Sequence, residues 1–164
     1  MAILAPDLYY SSVFAIDLDD LRRRDIDTLL VDLDNTLLPR DTNVITAEHH
    51  EWARRLSDGG FSVCLVSNNW HERVRAVASE MGFELVSKAV KPLPFAFLRA
   101  LRLVGAHRSR AAVIGDQLFT DVLGGKFLGM TTVLVQPLSS SDLPHTLVLR
   151  RIERLVLAGR RPLT

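Results

Sequence analysis

The amino-acid sequence predicts an α/β protein in which a mostly parallel sheet of about five strands lies between two layers of helices. Two observations support this prediction. Short apolar, β-prone runs alternate along the chain with segments of helical periodicity, as in parallel sheets covered on both faces. Polar residues also follow three of the runs directly, at Asp32, Ser67 and Asp116. Such sheets bind ligands beyond the carboxyl ends of their strands, so these positions are expected to converge.

The predicted strands are short and mostly apolar. The run over 28–31 stops at Asp32 and lacks polar alternation, as expected for a central strand buried on both faces. The five predicted strands cover residues 28–31, 61–66, 83–86, 111–114 and 131–135. Before them, residues 8–16 are apolar and aromatic but have no clear assignment.

The predicted helices follow from apolar spacing and from the residues that end them. Val74, Val77, Ala78 and Met81 lie on one helical face, and Gly82 follows where a C-terminal cap belongs. Pro92 and Pro94 are expected to open the next helix, which Gly105 ends. The other predicted helices cover residues 18–24, 47–57, 120–128 and 146–158.

The length of 164 residues, of which 48% are hydrophobic, suits one domain with a substantial core. We expect a single domain over 1–164 with its core at about 28–135. The N-terminal segment 1–27 and the helix over 146–158 are expected to pack on this core.

The bulk composition excludes several classes of protein. The net charge of +1 gives no electrostatic reason to expect nucleic acid, and a single cysteine, Cys64, excludes an internal disulfide or a Cys-rich zinc site. The first 16 residues lack the basic region of a signal peptide, and no apolar run reaches the roughly 18–20 residues of a membrane span. The sequence therefore predicts a cytoplasmic protein.

An arginine cluster near the C-terminus raises one further expectation about location. Its members are Arg150, Arg151, Arg154, Arg160 and Arg161. One interpretation is a solvated outer face, and the other is contact with anionic lipid headgroups, which would place the protein peripherally at the inner membrane face.

Asp32 and Asp34 form the centre of the predicted site. Side chains at i and i+2 point to the same side while the chain is extended, so two carboxylates can divide one reaction between them. Asp32 can attack the phosphorus of a phosphate ester and form an aspartyl-phosphate. Asp34 can protonate the leaving alkoxide and then deprotonate the attacking water.

Several carboxylates in one place repel one another unless a cation is present, and Mg²⁺ prefers such oxygen ligands. The expected ligands are Asp32, the backbone carbonyl of Asp34, and Asp116. Asp121 either holds a metal-bound water, positions Lys91, or caps the helix predicted to begin near it.

The phosphoryl group needs hydrogen-bond donors and positive charge. Ser67 offers a hydroxyl, and the Asn68 backbone N–H lies at a strand-to-helix turn suited to anions. Lys91 offers the positive charge, with Lys88 as its rival and the following Pro92 favouring Lys91. Ser67 has the alternative of capping the next helix.

The remaining chemically notable side chains are expected to have structural roles. Asn35 and Thr36 are expected to shape the turn after Asp34. Trp52 and Trp70 are interpreted as packing residues, although Trp70 is close enough to the site to touch a substrate. Three histidines are expected to be exposed helix residues: His49, His50 and His71.

These segments resemble the four motifs of the haloacid dehalogenase (HAD) superfamily. Residues 32–37, reading Asp-Leu-Asp-Asn-Thr-Leu, resemble motif I, Ser67 motif II, Lys91 motif III, and residues 115–121 motif IV. The chain is more closely similar to YqeG-type phosphatases of HAD subfamily IIIA, through Val-Ser-Asn-Asn, Lys-Pro-Leu and Gly-Asp-Gln-Leu-Phe-Thr-Asp. The resemblance implies a Rossmann-like core and Mg²⁺-dependent phosphatase activity.

The resemblance also bears on the substrate and on access to the site. The YqeG-type group is similar to phosphatidylglycerophosphate phosphatases, which makes that lipid phosphate a candidate substrate. Only one helix and one strand fit between Asn35 and Val66, so we expect no large cap domain and an open site.

The sequence therefore predicts a Mg²⁺-dependent phosphomonoesterase, with phosphatidylglycerophosphate as the first candidate substrate. One alternative is a phosphatase for a small soluble phosphate, such as a sugar phosphate or nucleotide. Another is a non-catalytic phosphate-binding module on the same fold, against which the intact motif acids argue. The oligomeric state is left open.

Overall fold

The computed structural model of the protein describes residues 2–139, 153 and 156–164. Its centre is a six-stranded sheet in which every neighbouring pair of strands is parallel. The strand order is β1-β6-β5-β2-β3-β4. The strands are β1 (Leu8–Tyr10), β2 (Thr28–Val31), β3 (Ser62–Val66), β4 (Glu84–Val86), β5 (Ala111–Gly115) and β6 (Thr131–Val135).

Helices connect the strands and cover both faces of the sheet. They are α1 (Leu18–Arg23), α2 (Ala47–Asp58), α3 (Glu72–Met81), α4 (Pro94–Val104) and α5 (Leu123–Phe127). The predicted helix over 120–128 is in fact a π-helical turn, Leu118–Val122, followed by the short α5. The prediction of α4 was right in kind, although the helix begins at Pro94 rather than at Pro92.

The two faces of the sheet carry separate apolar clusters. Leu29 and Val31 of β2 point to the face covered by α1, α2 and α3, where Trp52 is buried. Leu30 points to the opposite face and packs with Phe97 of α4. This alternation along one central strand produces the predicted three-layer α/β/α arrangement.

The sheet has one more strand than the five predicted. The additional strand, β1, consists of three residues and pairs with β6 through Leu8↔Val133, Tyr9↔Leu134 and Tyr10↔Val135. A strand this short has no detectable periodicity. Its position depends instead on tertiary contacts, such as the Asp7 carboxylate, which accepts from the backbone N–H of Thr132 at 2.8 Å.

The connection between β2 and β3, all of which is described, contains α2 and no inserted domain, so the prediction of no large cap is confirmed for the described part of the chain. His49 of α2 corrects a prediction, because it is buried rather than exposed. Its Nδ1 lies 2.8 Å from Thr46 Oγ1 and its Nε2 lies 2.9 Å from Leu37 O. His50 and His71 are exposed as predicted.

The predicted helix over 146–158, with Arg150, Arg151 and Arg154, lies outside the described residues except for Glu153 and residues 156–158. Glu153 is buried, and its Oε1 accepts a hydrogen bond from the backbone N–H of Leu118 at 2.7 Å. Among the described helices, none has the length and apolar character to cross a membrane.

Candidate active site

The carboxyl ends of the central strands bring the predicted site residues to one edge of the sheet. β2 lies between β5 and β3, and the residues that follow these three strands are Asp32, Asp116 and Ser67. The Asp32 backbone N–H donates to Ile114 O at 2.9 Å, which continues the β2–β5 pairing beyond the end of β2. The predicted convergence of these segments is therefore present in the fold.

Three carboxylates form a compact buried cluster at this edge. Asp32, Asp116 and Asp121 each place one oxygen so that the three atoms lie within 4.8 Å of one another. Lys91 is buried beside them, and its Nζ lies 2.6 Å from Asp32 Oδ1 and 2.7 Å from Asp121 Oδ1. The structure thus places Lys91, not Lys88, among the acids, since Lys88 Nζ lies over the Trp70 ring, 5.3 Å from its centroid.

Burial and charge act together on this cluster. Burial raises the pKa of Asp32 to about 6, because the effect of Lys91 in the opposite direction is smaller and Asp121 adds a further increase. Burial alone would lower the pKa of Lys91, but Asp121 and Asp32 outweigh it and hold that pKa above its ordinary value. Lys91 is therefore a permanent cation next to Asp32.

Thr36 and Gly115 bring the acids together. The Thr36 hydroxyl lies 3.1 Å from Asp32 Oδ2 and 3.3 Å from Asp116 Oδ1, so it can donate to either carboxylate. A Cβ atom at Gly115 would lie 2.2 Å from Asp121 Cγ, and only a residue without a side chain leaves room for Asp121. Thr36 therefore contacts the acids directly, beyond its predicted part in shaping the turn.

Asp34 is held apart from the acid cluster. Its Oδ1 accepts from Arg73 Nη1 at 2.6 Å, and its Oδ2 accepts from Asn69 Nδ2. Arg73 also donates through Nη2 to the carbonyls of Pro39 and Thr42, both at 2.8 Å. The two motif I carboxylates therefore have different surroundings, which suits two different roles.

Arg73 is the site residue that the sequence analysis missed. It lies on the first turn of α3, among other charged residues, so its local sequence resembles an exposed helix face. The available signal was its position on the first turn of the helix that follows the Ser67–Asn69 turn, six residues after Ser67.

The loop after β3 is tied to the loop that carries Lys91. Ser67 is fully buried, and its Oγ accepts from the Asn69 backbone N–H at 3.1 Å. This bond closes the turn, whereas the cap position of α3 belongs to His71, so the alternative of Ser67 as a helix cap is wrong. Asn68 Oδ1 accepts from the Lys91 backbone N–H at 2.9 Å.

The arrangement of charges fits a divalent cation. One lysine faces three carboxylates, so the cluster has an excess of negative charge, and carboxylate oxygens are the donors that Mg²⁺ prefers. The Asp34 side chain lies outside this cluster, which leaves its backbone carbonyl as the group predicted to serve as a ligand. An acidic, lysine-bearing site at the carboxyl edge of a parallel sheet is the arrangement expected of HAD hydrolases.

Comparisons with known proteins agree with this class. A family model described as "HAD-hyrolase-like" matches residues 89–140. The chain is 39% identical to "Probable phosphatase YqeG" of Bacillus subtilis over 154 residues, which are 94% of this chain and 90% of that protein. The chain therefore belongs to the YqeG family of the HAD superfamily and is a HAD-type phosphatase.

Two further comparisons bear on substrate and fold. "Phosphatidylglycerophosphate phosphatase 1, chloroplastic/mitochondrial" of Arabidopsis thaliana is 27% identical over 152 residues, which cover 87% of this chain and 43% of that protein. The crystal structure of 3-deoxy-D-manno-octulosonate 8-phosphate phosphatase from Yersinia pestis superposes with a TM-score of 0.55 at 16% identity, covering 87% of this chain and 86% of that one. The likeness to the Yersinia pestis structure shows a shared fold and nothing more.

Proposed function

We propose that the protein is a Mg²⁺-dependent phosphomonoesterase that forms an aspartyl-phosphate on Asp32. The observation that carries the proposal is the separation of the two motif I acids. Asp32 lies against a permanent cation, Lys91, whereas Asp34 lies outside the acid cluster against Arg73. One carboxylate is thereby suited to attack and the other to proton transfer.

In the first half of the reaction, a carboxylate oxygen of Asp32 forms a bond to phosphorus as the bond from phosphorus to the leaving oxygen breaks. Asp34 gives its proton to the leaving alkoxide. In the second half, Asp34 takes a proton from water as that water attacks phosphorus. The bond between Asp32 and phosphorus breaks, which releases phosphate and restores both carboxyl groups.

The remaining residues bind and neutralise the phosphoryl group. Ser67 and the Asn68 backbone N–H donate to its oxygens, and Lys91 offsets the negative charge that the reacting groups bring together. Asp32, the Asp34 carbonyl and Asp116 would hold Mg²⁺, and the bound ion would supply positive charge that shields the phosphate from the carboxylates. Asp121 positions Lys91, as the distance of 2.7 Å between Asp121 Oδ1 and Lys91 Nζ supports.

Phosphatidylglycerophosphate is the proposed substrate. The similarity to the Arabidopsis phosphatidylglycerophosphate phosphatase supports this choice, and so does a site without a cap, which leaves room for a bulky lipid headgroup. The proposed location is the cytoplasm, with access to the inner membrane face. The second candidate is a small soluble phosphate, which the same open site would admit.

The test is phosphate release from phosphatidylglycerophosphate and from an aryl phosphate, for wild type and Asp32→Asn, with Mg²⁺ and with a chelator. We expect Mg²⁺-dependent release that favours the lipid and falls on the order of 10³-fold or more in Asp32→Asn. Release from the aryl phosphate alone would exclude phosphatidylglycerophosphate as the substrate. No metal-dependent release from either compound would point to the binding-module alternative.

A further inference from the structure

An exposed apolar patch lies on the loops that border the acid cluster and on the first turn of α4. We define the docking patch as Trp70, Val90, Leu93 and Phe95, which are all exposed. Trp70 is 59% exposed, Val90 63% and Phe95 73%. Trp70 was interpreted as a packing residue, although one close enough to the site to touch a substrate, and its exposure corrects the packing interpretation. Four of the ten large exposed apolar residues among those described fall in this one region.

The docking patch shares its two loops with the active site. Trp70 follows the Ser67–Asn69 turn, and Val90 directly precedes Lys91. Backbone hydrogen bonds join the loops, from Lys88 N to Asn69 O at 3.2 Å and from Ala89 N to Ser67 O at 3.0 Å. The patch therefore stands beside the carboxylates, at the same edge of the sheet.

The backbone holds Val90 outward at an energetic cost. Val90 has a φ of 52°, and Lys88, two residues earlier, has a φ of 54°. A β-branched residue rarely adopts this left-handed conformation, so the backbone is strained at Val90. An exposed apolar side chain on a strained backbone is explained if another surface covers that side chain.

The charged residues that line the groove of the docking patch are positive. Val90, Leu93 and Phe95 line a groove of about 270 Å³ whose only charged lining residues, among those described, are Lys88 and Arg99. The Lys88 ammonium also lies over the Trp70 ring. A surface that binds these side chains must offer an apolar interior for the rings and negative charge for the basic groups.

We propose that the docking patch inserts into the surface of an anionic lipid bilayer and turns the acid cluster toward the headgroups. A tryptophan and a phenylalanine beside basic residues match the boundary between acyl chains and anionic headgroups. The interpretation that docking presents a phosphorylated headgroup to Asp32 rests on the proposed phosphatase function. The docking itself does not.

The test is co-sedimentation with vesicles of phosphatidylcholine containing about one third phosphatidylglycerol, and with pure phosphatidylcholine. The variant Trp70→Ser/Phe95→Ser removes the two aromatic side chains of the patch. The matched control is Phe127→Ser, because Phe127 is 54% exposed but lies just before β6 begins, at the opposite edge of the sheet. Removal of two inserted aromatic rings should weaken partitioning about tenfold or more.

We expect wild type and Phe127→Ser to bind the anionic vesicles, with weaker binding to neutral ones, and the double variant to bind at least tenfold less. Equal binding of all three proteins, or none by wild type, overturns the proposal. Dimerisation of wild type without vesicle binding, lost in the double variant, also overturns it and makes a second copy the occupant. Aryl phosphate hydrolysis by wild type and Phe127→Ser, expected to be equal, reports separately on the phosphatase function.

Discussion

Lys91 pairs with two carboxylates at once, and this makes it a structural as well as a chemical residue. Its ammonium is buried within 2.7 Å of oxygens of both Asp32 and Asp121. Without that ammonium the two acids would face each other across a poorly solvated site. The cost of removing one partner from such a buried group exceeds the cost at the surface.

Replacement of Lys91 should therefore destabilise the metal-free protein. We expect Lys91→Met to lower the free energy of unfolding by about 3 kcal/mol in the presence of a chelator, because two buried carboxylates lose their cation. The measurement is urea denaturation. Lys88→Met is the matched control, expected to change stability by at most about 0.5 kcal/mol. Equal effects of the two substitutions would contradict the assignment of Lys91 to the cluster.

Arg73 is expected to position Asp34 for proton transfer. Its guanidinium joins the Asp34 carboxylate to the carbonyls of Pro39 and Thr42. An alkyl leaving group needs a proton, whereas an aryl leaving group leaves readily as the anion. Arg73→Gln should therefore reduce kcat for an alkyl phosphate about tenfold or more, with a smaller effect on an aryl phosphate.

The matched control for this prediction is Arg75→Gln, an exposed arginine on the same helix, α3. It should leave both rates unchanged. Steady-state kinetics with paired alkyl and aryl substrates measures the difference. If Arg73→Gln slowed both substrates equally, Arg73 would act on binding or folding rather than through Asp34.

Cys64 gives a test of packing that is independent of catalysis. Its side chain is buried in β3, and burial raises the pKa of its thiol to about 12. The folded protein thus retains the thiol proton at pH values where an unfolded chain loses it. The stability that Cys64 contributes is therefore complete below about pH 9 and is lost as the pH rises from there toward 12.

Native protein should accordingly react very slowly with an aromatic disulfide reagent between pH 8 and 9.5, because the reactive species is the thiolate. Unfolding in urea should release one equivalent of thiol per chain. Absorbance of the released aryl thiol measures both. Fast stoichiometric reaction of the folded protein would show that the centre of β3 is accessible.

Among the elements of the fold, the end of β5 leaves no room for a side chain at Gly115. Gly115 is followed by Asp116 and faces Asp121 from the π-helical turn, and a Cβ there would approach Asp121 Oδ2 to 2.3 Å. The end of one strand and the turn that follows it thus form a single unit. π-Helical turns are frequent at functional sites.

Gly115→Ala should therefore displace Asp121, disturb Lys91 and reduce phosphatase activity more than tenfold. Gly125→Ala is a matched control, because its Cβ would approach Thr132 Cγ2 to 2.7 Å on the α5 side, away from the acids. That variant should lose stability but keep its kcat at a temperature where it is folded. Thermal denaturation and kinetics on both variants separate the two effects.

At the scale of the whole molecule, the fold concentrates negative charge at one edge of the sheet. Mg²⁺ should therefore stabilise the native state, because it binds a cluster that unfolding disperses. At about 100 times Kd the gain is about 2.7 kcal/mol, or a rise in Tm of about 5–10 °C for a chain of this length. Asp116→Asn should abolish most of this rise.

The control for the metal effect is Asp58→Asn, an exposed acid at the end of α2, which should retain the full rise in Tm. Differential scanning fluorimetry over a Mg²⁺ series gives the comparison. An unchanged Tm for wild type at millimolar Mg²⁺ would contradict the assignment of the cluster as a metal site.

Much of this architecture was predictable because it depends on local pattern. The uninterrupted apolar run of β2 predicted a central strand, and the acids directly after it predicted the position of the site. Arg73 was not predictable in the same way, because its partners Asp34, Pro39 and Thr42 are more than 30 residues away along the chain. The interpretation of Trp70 as a packing residue was wrong because the local sequence does not show whether a tryptophan side chain is buried or exposed.

The sequence by itself determined the α/β/α class, the order of the motifs, the absence of a large cap and the set of acids, since these follow from periodicity, chain length and residue chemistry. The tertiary structure alone decided that Leu8–Tyr10 forms an edge strand and that Asp34 pairs with Arg73. It also places Lys91, which the sequence favoured over Lys88, against the acids. Each of these depends on contacts between distant segments. Such contacts exist only when the sheet has assembled and its strand ends meet.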